Sequence, residues 1–257
     1  MNSSGPYRWP EGVARHVLDR VDSTNAEALR MASRLSGPTW IMARRQEAGR
    51  GRRGRAWVDP PGNLAATLLL RPQGEPAEAA LLSFVAALAV HDALRDLCGP
   101  QLAVALKWPN DVLLNGGKLA GILLESTGGA GQVGALAIGV GINLISAPEH
   151  GRMEANALRP VSLVGETGQA VTQNDALDAL AISFDRWWRQ FRDYGFAPIR
   201  TAWLARAARL GETMTARHGA FATTGRFDGI DDRGALLLST PRGRVAITAA
   251  DVHFGDV

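Results

Sequence analysis

The sequence predicts an α+β chain in two unequal parts, and three observations predict it. Strand-like and helix-like segments are interspersed as far as residue 210. From Gly211 onward only short strands separated by turns follow, the pattern of a small β-barrel of about 45 residues. Of 257 residues, 46% are hydrophobic and 21% charged, enough for one sizeable core or two unequal ones. The expected division is residues 1–208 and 209–257. The smaller part would be marginal alone and is expected to lean on the larger. This composition excludes a disordered or collagen-like chain.

Each element has a local reason. Residues 16–21 alternate weakly and read as a strand. Ser23 or Thr24 then caps a helix to about residue 35, with Glu27 in its first turn. Residues 39–43 form a short strand, residues 45–62 a loop rich in glycine and arginine, and residues 64–70 a buried strand. A nearly all-apolar helix covers 78–97. Residues 104–107 read as a strand end. Strands at 112–114 and 119–125 flank Asn115-Gly116-Gly117, a hairpin signal. A glycine-rich strand covers 133–144, an amphipathic helix 175–194 and a last helix 198–210. The barrel strands are expected at 213–217, 221–230, 235–239 and 244–248, with turns at 231–234 and 241–243.

Cys98 is the single cysteine, so no intramolecular disulfide can form and no cysteine cluster can hold zinc or iron–sulfur, and a reducing cytoplasm is expected. The N-terminus MNSSGPYRWPEG has no apolar core and does not read as a signal peptide. The apolar stretch at 79–90 is too short to span a bilayer and reads as a buried helix. Of 28 basic residues only Lys107 and Lys118 are lysines, eleven positions apart. An ammonium is a compact charge that a guanidinium does not imitate, which marks both as functional candidates. Residues 41–72 hold seven arginines against Glu47 and Asp59, whereas the rest of the chain is slightly acidic. Positive charge confined to one loop points to a small anionic ligand more than to a long nucleic acid.

GRGRRGR at 49–55 matches G-x-G-x-x-G, but the following AWVDPP cannot open a helix, so a dinucleotide-binding turn is rejected. Three glycines and four arginines suit a backbone and guanidinium cradle for phosphate. Mutual repulsion of the arginines predicts a loop that orders around negative charge. KWPND at 107–111 and KLAGILLE at 118–125 place both lysines near Asp111 across the hairpin. Two ammoniums and a carboxylate suit a centre that gains negative charge, and equally an ordinary surface ion pair. Ser23, Thr24 and Asn25 are either a helix cap or ligands to a polar ring, and Gln46 offers a donor and an acceptor. GVGIN at 139–143 allows close approach of a flat ligand, or a bulge.

These motifs, in this order and spacing, resemble the biotin–protein ligases of the biotin–[acetyl-CoA-carboxylase] ligase family over about residues 22–144. The resemblance implies a central mixed sheet with helices forming a biotin/ATP-binding catalytic domain, then an SH3-like barrel. It implies activation of biotin by MgATP to biotinyl-5′-AMP, and transfer to a lysine of a biotin carboxyl carrier domain. It places Ser23, Thr24, Asn25 and Gln46 at biotin's ureido end, with Gly121 beside biotin. Arg50, Gly51 and Arg52 belong to the loop over biotin and phosphate, with Arg53 and Arg55 also on the ATP side. Lys118 meets the activated carboxylate and α-phosphate, Asn143 lies near adenine, and Trp57 belongs to the adenine-side lid. The catalytic candidates are Lys118, Asp111, Arg52 and Lys107, with Asp111 steering the incoming lysine amine. No resident metal site is expected beyond the Mg2+ that accompanies ATP. Only 22 residues precede Ser23, too few for a helix-turn-helix module, so the short form without DNA binding is expected, away from membranes, with a homodimer left open. Two other readings stand beside it: a lipoate–protein ligase, which GRGRRGR and KWPND disfavour, and a non-catalytic RNA-binding protein using the arginine–glycine loop.

Overall fold

Residues 8–72, 74–129, 131–148, 158–218 and 221–254 are described in a computed structural model. The N-terminal segment read above for a signal peptide falls partly outside them, at residues 1–7.

Seven strands make one mixed sheet: β1 (Ala14–Val21), β2 (Thr39–Gln46), β3 (Leu64–Leu70), β4 (Val104–Lys107), β5 (Asp111–Leu114), β6 (Gly117–Gly129) and β7 (Gln132–Ile142). Their spatial order is β1-β2-β3-β7-β6-β5-β4. Only β1 and β2 run parallel, because α1 (Thr24–Met31) crosses between them; the other neighbours are antiparallel.

Helices cover both faces. Against one lie α3 (Leu82–Cys98) and α5 (Gln173–Tyr194), in one core with Trp40, Leu64, Leu68, Ile138, Val140 and Ile142, and α6 (Phe196–Leu204) packs on both of these helices. Against the other lies α1, over Ile41, Leu69, Ala135 and Ala137. Every residue of β3 is therefore buried, which is why it reads as a continuous apolar run rather than an alternating one. The long apolar helix breaks at Leu81 into α2 (Pro76–Ala80) and α3. Together Pro76–Cys98 is long and apolar enough by composition to cross a membrane, longer than the stretch expected at 79–90. Its burial in the fold, 67% of the most apolar window, is the observation that marks a core helix.

The hairpin between β5 and β6 turns at Asn115 (φ 50) and Gly116 (φ 79), the left-handed pair that a tight two-residue turn requires. One short helix, α4 (Leu163–Thr167), capped by Ser162, has no counterpart in the sequence reading.

Beyond α6, five antiparallel strands form the second sheet in the order β11-β10-β9-β8-β12: β8 (Thr213–His218), β9 (Phe221–Ile230), β10 (Leu236–Thr240), β11 (Gly243–Ile247) and β12 (Asp251–His253). The sequence reading missed β12, whose three residues carry no periodicity to read. This sheet does lean on the larger one. Phe227, Ile230, Leu236 and Leu238 join the same core as α3 and α6, and Trp108 Nε1 donates to Gly234 O at 2.9 Å.

Candidate active site

The face of the sheet carrying α1 opens into a cleft of about 690 Å³. Fourteen of the fifteen residues singled out from the sequence line it: Ser23, Thr24, Asn25, Gln46, Arg50, Gly51, Arg52, Arg55, Trp57, Lys107, Asp111, Lys118, Gly121 and Asn143. Arg53 does not. Its backbone is left-handed (φ 57), and its guanidinium meets Asp251 Oδ2 at 2.6 Å, behind the stretch where Asp251 itself lines the cleft.

A β-bulge builds the centre. The register of β5 on β6 slips between Val112 and Leu113, so Leu119 and Ala120, neighbours in sequence, both face the core. Lys118 and Gly121 are thereby both turned to the cleft, which a regular strand would not allow for residues three apart. Lys118 Nζ lies 2.7 Å from Asp111 Oδ1, and Lys107 Nζ 3.6 Å from Asp111 Oδ2, with Lys107 and Asp111 paired across β4 and β5. Burial would raise the pKa of Asp111, but Lys118 and Lys107 outweigh it and hold the carboxyl below the usual range. Burial lowers the pKa of Lys107, and Asp111 opposes that.

At the floor, the start of α1 meets β2 and β3. Ser23 caps the helix, its Oγ accepting from Ala26 N. Thr24 N and Oγ1 both donate to Gln46 Oε1, at 2.9 and 3.1 Å. Thr67 Oγ1 lies 2.8 Å from Thr24 Oγ1 and 2.7 Å from Asn25 Oδ1. Asn25 Nδ2 donates to Leu123 O and to Glu125 Oε2. The result is a neutral, buried hydrogen-bonding wall, fixed in orientation by its own partners. Gln46 is held in turn by Asp59, whose Oδ2 accepts from Gln46 N at 3.2 Å. Burial raises Asp59 to about 6, against the hydrogen bonds from Gln46, and its Oδ1 is buried without a partner.

Glycines shape the other wall. A Cβ on Gly139 would lie 2.3 Å from Asn25 Oδ1, and one on Gly141 2.5 Å from the Trp57 ring. Trp57 also packs against Gly121, with Lys118 Nζ 5.9 Å from its ring centroid. Asn143 Nδ2 donates to Val161 O, while its Oδ1 is buried and unpartnered.

The arginine loop closes the mouth. Gly51 N donates to Arg55 O at 2.7 Å and Trp57 N to Gly49 O at 2.9 Å, so the loop is a small hairpin of its own. Arg50 faces Glu125 at 3.3 Å, and Arg52 Nη1 donates to Asn110 Oδ1. Carboxylates thus answer the mutual repulsion read from the sequence. Sequence reading missed Asp59, Thr67, Glu125 and Asp251. Glu125 ends the KLAGILLE motif and could have been found there; Asp251 has no local signal.

The profile of the Biotin/lipoate A/B protein ligase family matches residues 17–143, and that of the Biotin protein ligase C terminal domain residues 210–255. The chain is 61% identical over 239 residues to a biotin–[acetyl-CoA-carboxylase] ligase of Paracoccus denitrificans, covering 93% of this chain and all of that one. It is 33% identical over 251 residues to the bifunctional ligase/repressor BirA of Bacillus subtilis, covering 95% of this chain and 76% of that one. Among solved structures, a biotin protein ligase from Aquifex aeolicus in complex with biotin and ATP superimposes with a TM-score of 0.77 at 27% identity, covering 93% of this chain and 97% of that one. Two family profiles in the right order, a full-length relative and a cleft assembled from the family's motifs agree, and the chain belongs to the biotin protein ligases of the biotin/lipoate A/B protein ligase family.

Proposed function

We propose that the protein activates biotin with MgATP and transfers it to a lysine of the biotin carboxyl carrier domain of acetyl-CoA carboxylase. The observation that carries this reading is the Lys107–Asp111–Lys118 cluster, set between a neutral hydrogen-bonding floor and an arginine mouth. A ureido ring offers N–H donors and a carbonyl acceptor, which the Thr24, Asn25 and Gln46 side chains can match without charge. A carboxylate and a polyphosphate repel each other, and the cations above the floor reduce that repulsion.

In the first step a biotin carboxylate oxygen attacks the α-phosphorus of ATP. The new P–O bond forms as the bond to the β-phosphate oxygen breaks, and pyrophosphate leaves. Lys118 faces the charge that develops on the α-phosphate, with Arg50, Arg52 and Arg55 around the phosphates. Lys107 adds a second buried positive charge. Trp57 and the unpartnered Asn143 Oδ1 suit an adenine ring, the oxygen accepting from its amino group. In the second step the carrier lysine Nζ attacks the anhydride carbonyl, AMP leaves, and the amine loses a proton. Asp111 is shared by two ammoniums already, so we assign it to fixing Lys118 rather than to steering the incoming amine. Residues 1–208 form the catalytic unit in this reading and 209–257 its partner sheet. A cytoplasmic enzyme free of DNA and membrane, alone or as a homodimer, belongs to the same proposal.

Purified protein with biotin, MgATP and a carrier domain is expected to add one biotin per carrier, read by mass spectrometry, and no lipoate in its place. A carrier left unmodified while a known ligase biotinylates the same sample would remove the assignment. Gly139→Ala is expected to push Asn25 from its position and weaken biotin binding about tenfold, the loss of one hydrogen bond. Calorimetric titration with biotin checks it; unchanged affinity would mean that Asn25 does not contact the ligand.

A further inference from the structure

We infer that Asp251 is a positioning residue for the nucleotide: it is the counter-ion that holds the arginine loop in place, and through it the second sheet becomes a working part of the active site. This rests on the adenylating activity proposed above and adds a residue from outside the cleft's own sheet.

Three of the loop's four arginines converge on it. Arg53 Nη1 reaches Asp251 Oδ2 at 2.6 Å, Arg55 Nη2 reaches Oδ1 at 2.9 Å, and Arg52 Nη1 lies 3.9 Å from Oδ1. Arg52 Nη2 also donates to the carbonyl of the preceding residue, Ala250, at 3.3 Å. A single exposed ion pair contributes little. One carboxylate shared by three guanidiniums of the same short loop is different, because it cancels repulsion among them and fixes their spacing together.

Asp251 is itself fixed. It opens β12, where it pairs with Arg217 of β8, and Ala250 and Val252 on either side are buried. A side chain on such an anchored strand holds its partners more firmly than one on a loop. One negative charge cannot neutralise three positive ones, so a positive excess remains for phosphate. The loop is therefore held near its working shape before the nucleotide arrives, and less ordering is left to be done on binding.

The test uses the whole enzyme and the variants Asp251→Asn and Asp251→Glu, with melting curves to confirm that both fold. Biotinyl-5′-AMP formation from biotin and MgATP is followed at varied concentrations of each. Asp251→Asn is expected to raise KM for ATP about tenfold, the loss of one charge-assisted contact. KM for biotin should stay within about twofold, and Asp251→Glu should restore most of the loss. Without substrates, trypsin should cut Asp251→Asn within residues 50–55 at least about threefold faster than the wild type, as a released loop opens more often. An unchanged KM for ATP together with unchanged cutting overturns the inference. A lowered KM for ATP also overturns it, since Asp251 would then compete with phosphate. A wild type that forms no biotinyl-5′-AMP defeats the functional reading instead, and the trypsin comparison still decides whether Asp251 holds the loop.

Discussion

Lys118→Ala is expected to slow biotinyl-5′-AMP formation by roughly 10²–10³-fold, the range found when one preorganised donor to developing charge is removed. The ammonium stands in the cleft 2.7 Å from Asp111, on the bulged turn of β6, and no neighbouring side chain can replace it there. Lys107 also lines the cleft, but it is buried and lies 3.6 Å from the other oxygen of the same carboxylate. Lys118→Arg is expected to recover little, because a planar guanidinium is larger and its charge more diffuse. Single-turnover measurement of adenylate formation separates this chemical step from transfer to the carrier. Near-normal adenylation by Lys118→Arg would show that any positive charge suffices at this position.

Asp111→Asn is expected to destabilise the folded protein by about 3 kcal/mol, since it leaves buried Lys107 without its counter-charge while keeping the side chain's shape. In a chain of this size that lowers the melting temperature by about 6–12 °C. The sign with pH follows from the carboxyl being held below its ordinary value of 3.8 in the fold. Its contribution is present above that value and is lost as the pH falls through the lower, folded one. The gap in melting temperature between wild type and variant should therefore be full near neutrality and close only in strong acid. A gap of less than about 2 °C at neutral pH would mean that water screens the cluster and that the three charges act independently.

Much of the cleft was legible in the sequence because its residues sit in short, dense motifs. Pairing Asn115 with Gly116 predicts the hairpin, and the hairpin brings Lys118 back toward Asp111, as the structure shows. The near absence of lysine makes the two that remain conspicuous. The strand at Leu64–Leu70 is bounded by its own apolar run. These features depend on local backbone preference and on neighbours a few residues away, which a sequence records directly.

What the sequence could not supply is geometry set by groups far apart in the chain. The seven-residue arginine loop reads as a self-repelling segment until Asp251 and Glu125 stand beside it, and each arrives through a different part of the fold. The bulge that turns both Lys118 and Gly121 to the cleft exists only in the register of β6 against β5. Asp59 reads as one acid in a loop rich in glycine and arginine, yet the structure half-buries it, with a hydrogen bond from Gln46 N. By itself the sequence determined which chemical groups this protein carries and the order in which they occur. Which carboxylate neutralises which cation was decided by the tertiary structure, because Coulomb interaction and desolvation depend on distance and burial, and a linear chain specifies neither.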